Sequence, residues 1–213
     1  MFFKSLDGRY KRIRRRCKGK PCPDLYALKK AQLTELEILC EQGFLNLFYG
    51  DESHVCSTGY VPYGWQFLGE EVFIPVEKGY KINIWGLISR RNQTHWLTTE
   101  TIISANFIFT QLEELSFKIR KPTVIVVDNA SIHKAQLIQQ QLPFWEARGL
   151  RIFYLPTYSP HLNIAETLWR KLKKEQLDPG DYFNKDTLFY AVNRCLAQVG
   201  NLWRINFSKF NIN

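Results

Sequence analysis

The sequence predicts an α/β fold: a mixed sheet flanked by helices, preceded by a basic arm and one further helix. Three observations carry that expectation. Residues Thr123–Val127 form a short β-branched run without a charge, the pattern of a strand buried on both faces. From Ser104 onward helical and strand-like stretches alternate, which is how parallel strands are joined. Before Ser104 the chain is strand-rich and punctuated by Gly and Pro. At 213 residues, with 45% hydrophobic and 23% charged residues, its composition is that of a folded chain rather than a disordered one.

The first element in chain order is a block of charge. Seven of the ten residues from Lys11 to Lys20 are basic (Lys11, Arg12, Arg14, Arg15, Arg16, Lys18, Lys20), a solvated arm of the kind that lies along phosphates. Pro23-Asp24 then starts a helix over 24–42. Its residues Leu25, Leu28, Leu33, Leu36, Leu39 and Cys40 share a stripe about 140° wide, interrupted by Gln32, and Gly43 ends it. That stripe packs on the main domain or on a partner. The domain boundary falls here, with 1–43 as arm and linker helix and 44–213 as the main domain.

Phe44–Tyr49 reads as a strand running into the loop Gly50-Asp51-Glu52-Ser53. Strands follow near Val72–Val76 and over Tyr80–Ser89, split by the turn Lys78-Gly79, with another over Gln93–Thr98. Ser104 caps a helix that carries Phe107, Ile108, Leu112, Leu115 and Ile119 at helical spacing. After Thr123–Val127 a helix begins near Ser131 and is broken or restarted at Pro143. A strand spans Leu150–Leu155, 156–160 is a loop, and a strongly patterned helix begins near Leu162.

Charge and cysteine usage narrow the partners. Lys+Arg 29 against Asp+Glu 20 leaves +9, which favours a polyanion, nucleic acid before membrane, over a merely basic protein. Five scattered cysteines argue against a disulfide framework and for a reducing cytosol. Cys17 and Cys22 are the one close pair, and nothing completes a zinc set. No apolar run is long enough to span a membrane, and the charged start is no signal peptide.

Three carboxylates are the candidate chemistry. Asp51 closes the first strand, Asp128 closes the buried apolar strand, and Glu166 stands in the first turn of the last patterned helix. Strand ends are where open α/β sheets build sites. Two carboxylates at adjacent strand ends repel unless a cation lies between them, and oxygen ligands without Cys or His point to Mg²⁺ or Mn²⁺. On the helix, Ile164, Leu168 and Leu172 lie within about 80° of one another and face the sheet. Glu166 is off that stripe beside Trp169, with Lys173 about 20° and Arg170 about 40° away, cations that keep it ionised and can hold phosphates. Singly, each acid reads first as an ordinary surface charge, as Glu52 beside Asp51 does in its loop, and it is the joint pattern of two strand-end Asp and a helical Glu that points to chemistry.

The motifs Gly50-Asp51-Glu52-Ser53, Val61-Pro62-Tyr63-Gly64-Trp65, Val126-Val127-Asp128-Asn129-Ala130-Ser131-Ile132-His133 and Leu155-Pro156-Thr157-Tyr158-Ser159-Pro160-His161-Leu162-Asn163-Ile164-Ala165-Glu166-Thr167-Leu168-Trp169, in that order, resemble the catalytic core of DDE transposases in the bacterial insertion-sequence branch of the mariner superfamily. The resemblance covers roughly Phe44 to Leu177. It implies a ribonuclease H-like fold with a five-stranded mixed sheet, a triad on Asp51, Asp128 and Glu166, two divalent ions, and cut-and-paste movement of a DNA element. It further implies a homodimer on DNA. In the two-ion chemistry of such sites, Asp51 bridges both ions while Asp128 and Glu166 take one each. Asn129, His133 and Asn163 support these ligands, with a plain helix-surface role as the other reading of His133. DNA contacts fall to Lys11, Arg12, Arg14, Arg15, Arg16, Trp65, Arg170 and Lys173. Tyr63, Trp65 and Tyr158 are candidates for stacking on unpaired bases, with packing as their alternative.

Two positions depart from the family pattern: His161 stands where an acid is usual, and Ile164 where a proline is usual. In front, the family usually carries about a hundred further residues of helix-turn-helix domains. The chain is therefore expected to be a catalytic half, either a truncated copy or the second frame of a split gene with an upstream DNA-binding polypeptide as partner. Two readings compete: another ribonuclease H-like nuclease, and a non-catalytic remnant that binds DNA or inhibits an intact transposase.

Overall fold

The structure, a computed structural model, describes residues 19, 21–57, 67–70, 73 and 79–208. The cations of the 11–20 block, the expected strand near 72–76, Tyr63 and Trp65 lie outside the described residues.

A helix α1 (Pro23–Glu41) leads into β1 (Asn46–Cys56), β2 (Lys81–Ile88) and β3 (Thr94–Thr99); then follow α2 (Ala105–Lys118), β4 (Thr123–Val127), α3 (Gln136–Ala147), β5 (Leu150–Tyr154), α4 (Ala165–Lys171) and α5 (Lys185–Gln198). The five strands form one sheet in the order β3-β2-β1-β4-β5. The first three are antiparallel neighbours, whereas β4 pairs parallel with β1 and with β5. This is the mixed sheet that the alternating pattern implied.

Period-two alternation sorts the core onto two faces. Leu47, Tyr49 and Val55 of β1 and Val124 and Val126 of β4 pack with Leu33 of α1, Leu168 of α4, Leu172 just after it, and Leu188 and Val192 of α5. Phe48, Ile125 and Val127 pack on the other face with Ile108 and Leu112 of α2 and Ile138 and Trp145 of α3. All five residues of β4 are buried, because helices cover it on both sides.

The helix ends follow local chemistry. Ser104 accepts a hydrogen bond from the backbone N–H of Phe107 and starts α2. Gly43, at φ 86°, turns the chain out of α1 into β1. α1 docks on the main domain through the later part of the expected stripe, Leu33, Leu36, Leu39 and Cys40. Leu33 is fully buried while Leu25 and Leu28 are exposed, and Tyr26 packs inward instead. Beside the stripe, Glu37 accepts from Tyr49 and from Arg90 and ties the helix to β1 and to the end of β2.

Three expected boundaries are corrected. β1 does not stop at Tyr49 but continues to Cys56, because β2 pairs with it over Tyr49–Cys56 after its parallel partner β4 has ended. The Gly-Asp-Glu-Ser sequence is therefore strand, not loop. Pro143 lies inside α3 without ending it, the helix being pinned on either side by buried Ile138 and Trp145. The patterned helix near Leu162 begins as a single 3₁₀ turn over Pro160–Leu162 before α4.

Candidate active site

Asp51 sits within β1, opposite Gly86 of β2. The parallel ladder pairs Tyr49 with Val126, so two residues further along Asp51 is level with Asp128, just past the end of β4. Both side chains alternate onto the face that α4 crosses, where Glu166 stands in the first turn. The fold thus brings together the three acids expected from sequence, although Asp51 is within a strand rather than at its end.

The electrostatics are those of crowded carboxylates. Burial, together with the charges of Glu166, Glu52 and Asp128, pushes the Asp51 carboxyl up to about 8. Partial desolvation also raises Glu166, whose side chain stays exposed at the mouth of the site, with Lys173 opposing and Asp128 adding to the shift. Lys173 is itself lowered by burial, against the pull of Glu166 and Asp51. Arg170 is exposed on the same helix. The expected dominance of the two cations over Glu166 is therefore corrected: at this carboxyl, desolvation outweighs them.

Asp128 is held differently. Its Oδ1 accepts from the Ala130 N–H at 3.0 Å and faces His133 Nδ1 at 2.9 Å. These contacts, the His133 bond foremost, hold Asp128 below the usual carboxylate range. His133 is only 2% exposed, and its Nε2 lies 3.1 Å from Glu52 Oε1. Burial works against charging the imidazole, but the bonds to Asp128 and Glu52 prevail and push it up to about 10. An imidazolium donating from both nitrogens ties β1 to the loop after β4. Of the two readings of His133, the plain surface role does not hold.

Two asparagines complete the frame. Asn163 is 4% exposed; its Nδ2 donates to the Gly50 carbonyl at 3.0 Å and its Oδ1 accepts from the Ala165 N–H at 3.1 Å. It links the backbone before Asp51 to the start of the helix carrying Glu166. Asn129 Oδ1 is buried without a hydrogen-bond partner among the described residues. Tyr158 is more than half exposed, with φ at 59°.

Sequence reasoning missed two members. Glu52, which reads as a loop carboxylate, is a partly buried strand residue bonded to His133. Trp169, which reads only as a neighbour of Glu166, is buried and donates its indole N–H to Asp51 Oδ2 at 3.1 Å. The alternation Phe48, Gly50, Glu52 puts Glu52 on the face opposite Asp51 as soon as the strand is extended past Tyr49.

As placed, no three His, Cys, Asp or Glu side chains among the described residues are grouped to hold a metal ion. The donor chemistry nonetheless fits a hard divalent cation: oxygen ligands on one face that destabilise one another's charge. Among the described residues, Cys22, Cys40, Cys56 and Cys195 are not joined in disulfides. No helix among the described residues is long and apolar enough to cross a membrane.

Comparison with known proteins places this arrangement. Residues 46–188 match the family described as DDE superfamily endonuclease. A Shigella sonnei protein described as insertion element IS630 uncharacterized 39 kDa protein is 29% identical over 130 residues, 59% of this chain and 37% of that protein. The match thus spans little more than a third of the relative's length. Among solved structures, the Mos1 mariner paired end complex with Mn aligns at TM-score 0.53 and 15% identity, covering 95% of this chain and 70% of that one. The Mos1 transposase paired-end complex with left transposon end aligns at 0.51 and 15%, covering 93% and 69%. At such identity the likeness is one of fold, the ribonuclease H-like mixed sheet with flanking helices.

Proposed function

The chain belongs to the DDE superfamily of endonucleases, and on that premise we propose that it is the catalytic domain of an insertion-sequence transposase, cutting and joining DNA strands with Asp51, Asp128 and Glu166. The observation that carries this reading is the Asp51 carboxyl, partly buried and crowded by the charges of Glu166 and Asp128 on its own face of the sheet and of Glu52 on the other. Such crowding costs stability unless the site gains a cation. Of the two Mos1 transposase complexes that share this fold, one is a complex with Mn and the other a complex with a transposon end, which supports a divalent ion and DNA as the partners here too.

Bound Mg²⁺ or Mn²⁺ supplies the charge that a scissile phosphate and an attacking oxygen need. The protein's share is placement. Asp51, Asp128 and Glu166 would hold the metal, two ions in the family pattern. His133 keeps one oxygen of Asp128 engaged and so orients the other. Asn163 holds the backbone preceding Asp51 against the start of α4. Lys173 brings an ammonium to the same face, and Arg170 a guanidinium, for the phosphates on either side of the cut. The protein contributes position and charge, and the reaction is a displacement by water and then by the freed 3′-hydroxyl. Residues 1–43 serve as a phosphate-binding arm and linker. Cutting two element ends implies two copies on DNA, with end recognition supplied by a preceding DNA-binding segment.

The test is a nicking assay on terminal-repeat DNA. Wild type should cleave with Mn²⁺ and not with EDTA, and Asp51→Asn, Asp128→Asn and Glu166→Gln should each lose cleavage while keeping the fold. A variant that cleaves at the wild-type rate removes its residue from the site.

A further inference from the structure

We propose that Trp169 and Gly86 form a positioning device for Asp51, in which a gap in one strand lets a buried indole hold the central carboxylate. The proposal rests on the catalytic reading above and assigns it two residues with no ligand role.

The gap is visible in β2. Ile82, Ile84 and Ile88 alternate onto the face covered by α4, each fully buried, and the remaining position on that face is Gly86. Gly86 is also the cross-strand partner of Asp51. A Cβ added there would lie 2.5 Å from Trp169 Cη2 and 3.0 Å from Cζ2, closer than packed carbons approach. The indole therefore fills the space that an isoleucine at 86 would take. Trp169 is 3% exposed, and a buried indole N–H requires an acceptor. The acceptor is Asp51 Oδ2 at 3.1 Å.

The consequence is directional. The charges of Glu166, Glu52 and Asp128 repel Asp51, and Lys173, the cation coupled to it, is shared with Glu166. A neutral donor on Oδ2 fixes the rotamer without cancelling the charge that a cation needs, as a lysine or arginine in its place would. The donor is carried by α4, three residues after Glu166, so the same helix that presents one acid orients another. Trp169 acts through Asp51 and is a positioning residue, and Gly86 acts through Trp169.

A double-mutant cycle tests the device. Trp169→Phe keeps an apolar ring and removes the N–H. It should melt within a few degrees of wild type, bind duplex DNA as wild type does, weaken Mn²⁺ binding (measured with the metal alone, by electron spin resonance of the free ion) several-fold, and slow single-turnover cleavage at least tenfold. Gly86→Ala alone should lower both melting temperature and cleavage. Gly86→Ala in the Trp169→Phe background should recover the melting temperature, because a phenyl ring stops short of the added methyl, while cleavage stays at the Trp169→Phe level. A contact readout independent of turnover is the Trp169 indole N–H in ¹⁵N-labelled protein, whose slow hydrogen exchange should become fast in Asp51→Ala. Trp169→Phe binding Mn²⁺ and cleaving as wild type, while Asp51→Asn is inactive, would overturn the proposal and leave Trp169 a packing residue. Indole exchange unchanged by Asp51→Ala would overturn the contact itself. If wild type neither binds Mn²⁺ nor cleaves, the catalytic reading fails, and any role of Trp169 in the reaction fails with it.

Discussion

Replacing Asp51 with asparagine should make the metal-free protein more stable, and by an amount that depends on pH. The Asp51 carboxyl is raised from 3.8 to about 8 by burial and by Glu166, Glu52 and Asp128. A carboxyl raised in the folded state contributes stability at low pH and loses it as pH climbs from the unfolded value to the folded one. At pH 7 the protein is about three units into that window, which at about 1.4 kcal/mol per unit bounds the cost near 4 kcal/mol. Neighbouring carboxylates that take up protons or move apart absorb part of it, leaving about 2 kcal/mol. For a chain of this size that is roughly 4–8 °C in melting temperature. Asparagine Oδ1 still accepts from the Trp169 indole, so the substitution removes charge and little else. Thermal melts in EDTA from pH 4 to pH 9 should show the two proteins close together at pH 4, diverging up to about pH 8, and parallel above it. A mutant that is less stable than wild type at pH 8, or a gap that does not change with pH, would refute the crowded-carboxylate account.

Other parts of the site carry their own expectations. His133→Ala should cost about 2–3 kcal/mol, since the Asp128 and Glu52 carboxylates lose their shared partner but keep contact with water, seen as a lower denaturant midpoint. Asn163→Ala should cost about 1–3 kcal/mol, because the Gly50 carbonyl and the Ala165 N–H are then unsatisfied in the interior, and hydrogen exchange at Ala165 should speed up. The chain alone should bind duplex DNA with a steep salt dependence and prefer its own element ends over scrambled DNA by less than about tenfold, since phosphate contacts carry little sequence information. Neutralising four cations between Lys11 and Lys20 should weaken binding to all sequences alike and flatten the salt slope by up to about four units, read in a competition gel.

Much of the fold was legible because burial leaves a pattern. Thr123–Val127 has no polar face since helices cover both sides, and Ser104 announces α2 through its side chain. The asymmetry lies in β1. Its first residues pair with β4 and read as a buried strand, but beyond Tyr49 the strand is held by β2 alone and carries Asp51, Glu52 and His54, which in a linear reading are turn chemistry. Only the register shows that Asp51 is level with Asp128. The role of Glu52 was hidden for the same reason, since its partner His133 is 81 residues away and on the far side of a strand end. Trp169 was masked by its own hydrophobicity: a tryptophan on a core-facing helix is explained by packing, and the N–H that reaches Asp51 leaves no periodic trace. The Gly86 gap in an isoleucine alternation was a signal available in the sequence, readable once the strand was known to lie opposite Asp51.

The most direct test of the central claim, that these carboxylates form a divalent-cation site, is a Mn²⁺ titration followed by melting temperature at fixed pH. Ligand that binds the folded state alone stabilises it by about 2.7 kcal/mol at a hundredfold excess over its dissociation constant, several degrees for this chain. The account predicts such a rise in wild type, a reversal by EDTA, and almost none in Asp51→Asn, whose crowding is already relieved. A rise of equal size in Asp51→Asn, or a wild-type protein indifferent to Mn²⁺, would contradict it.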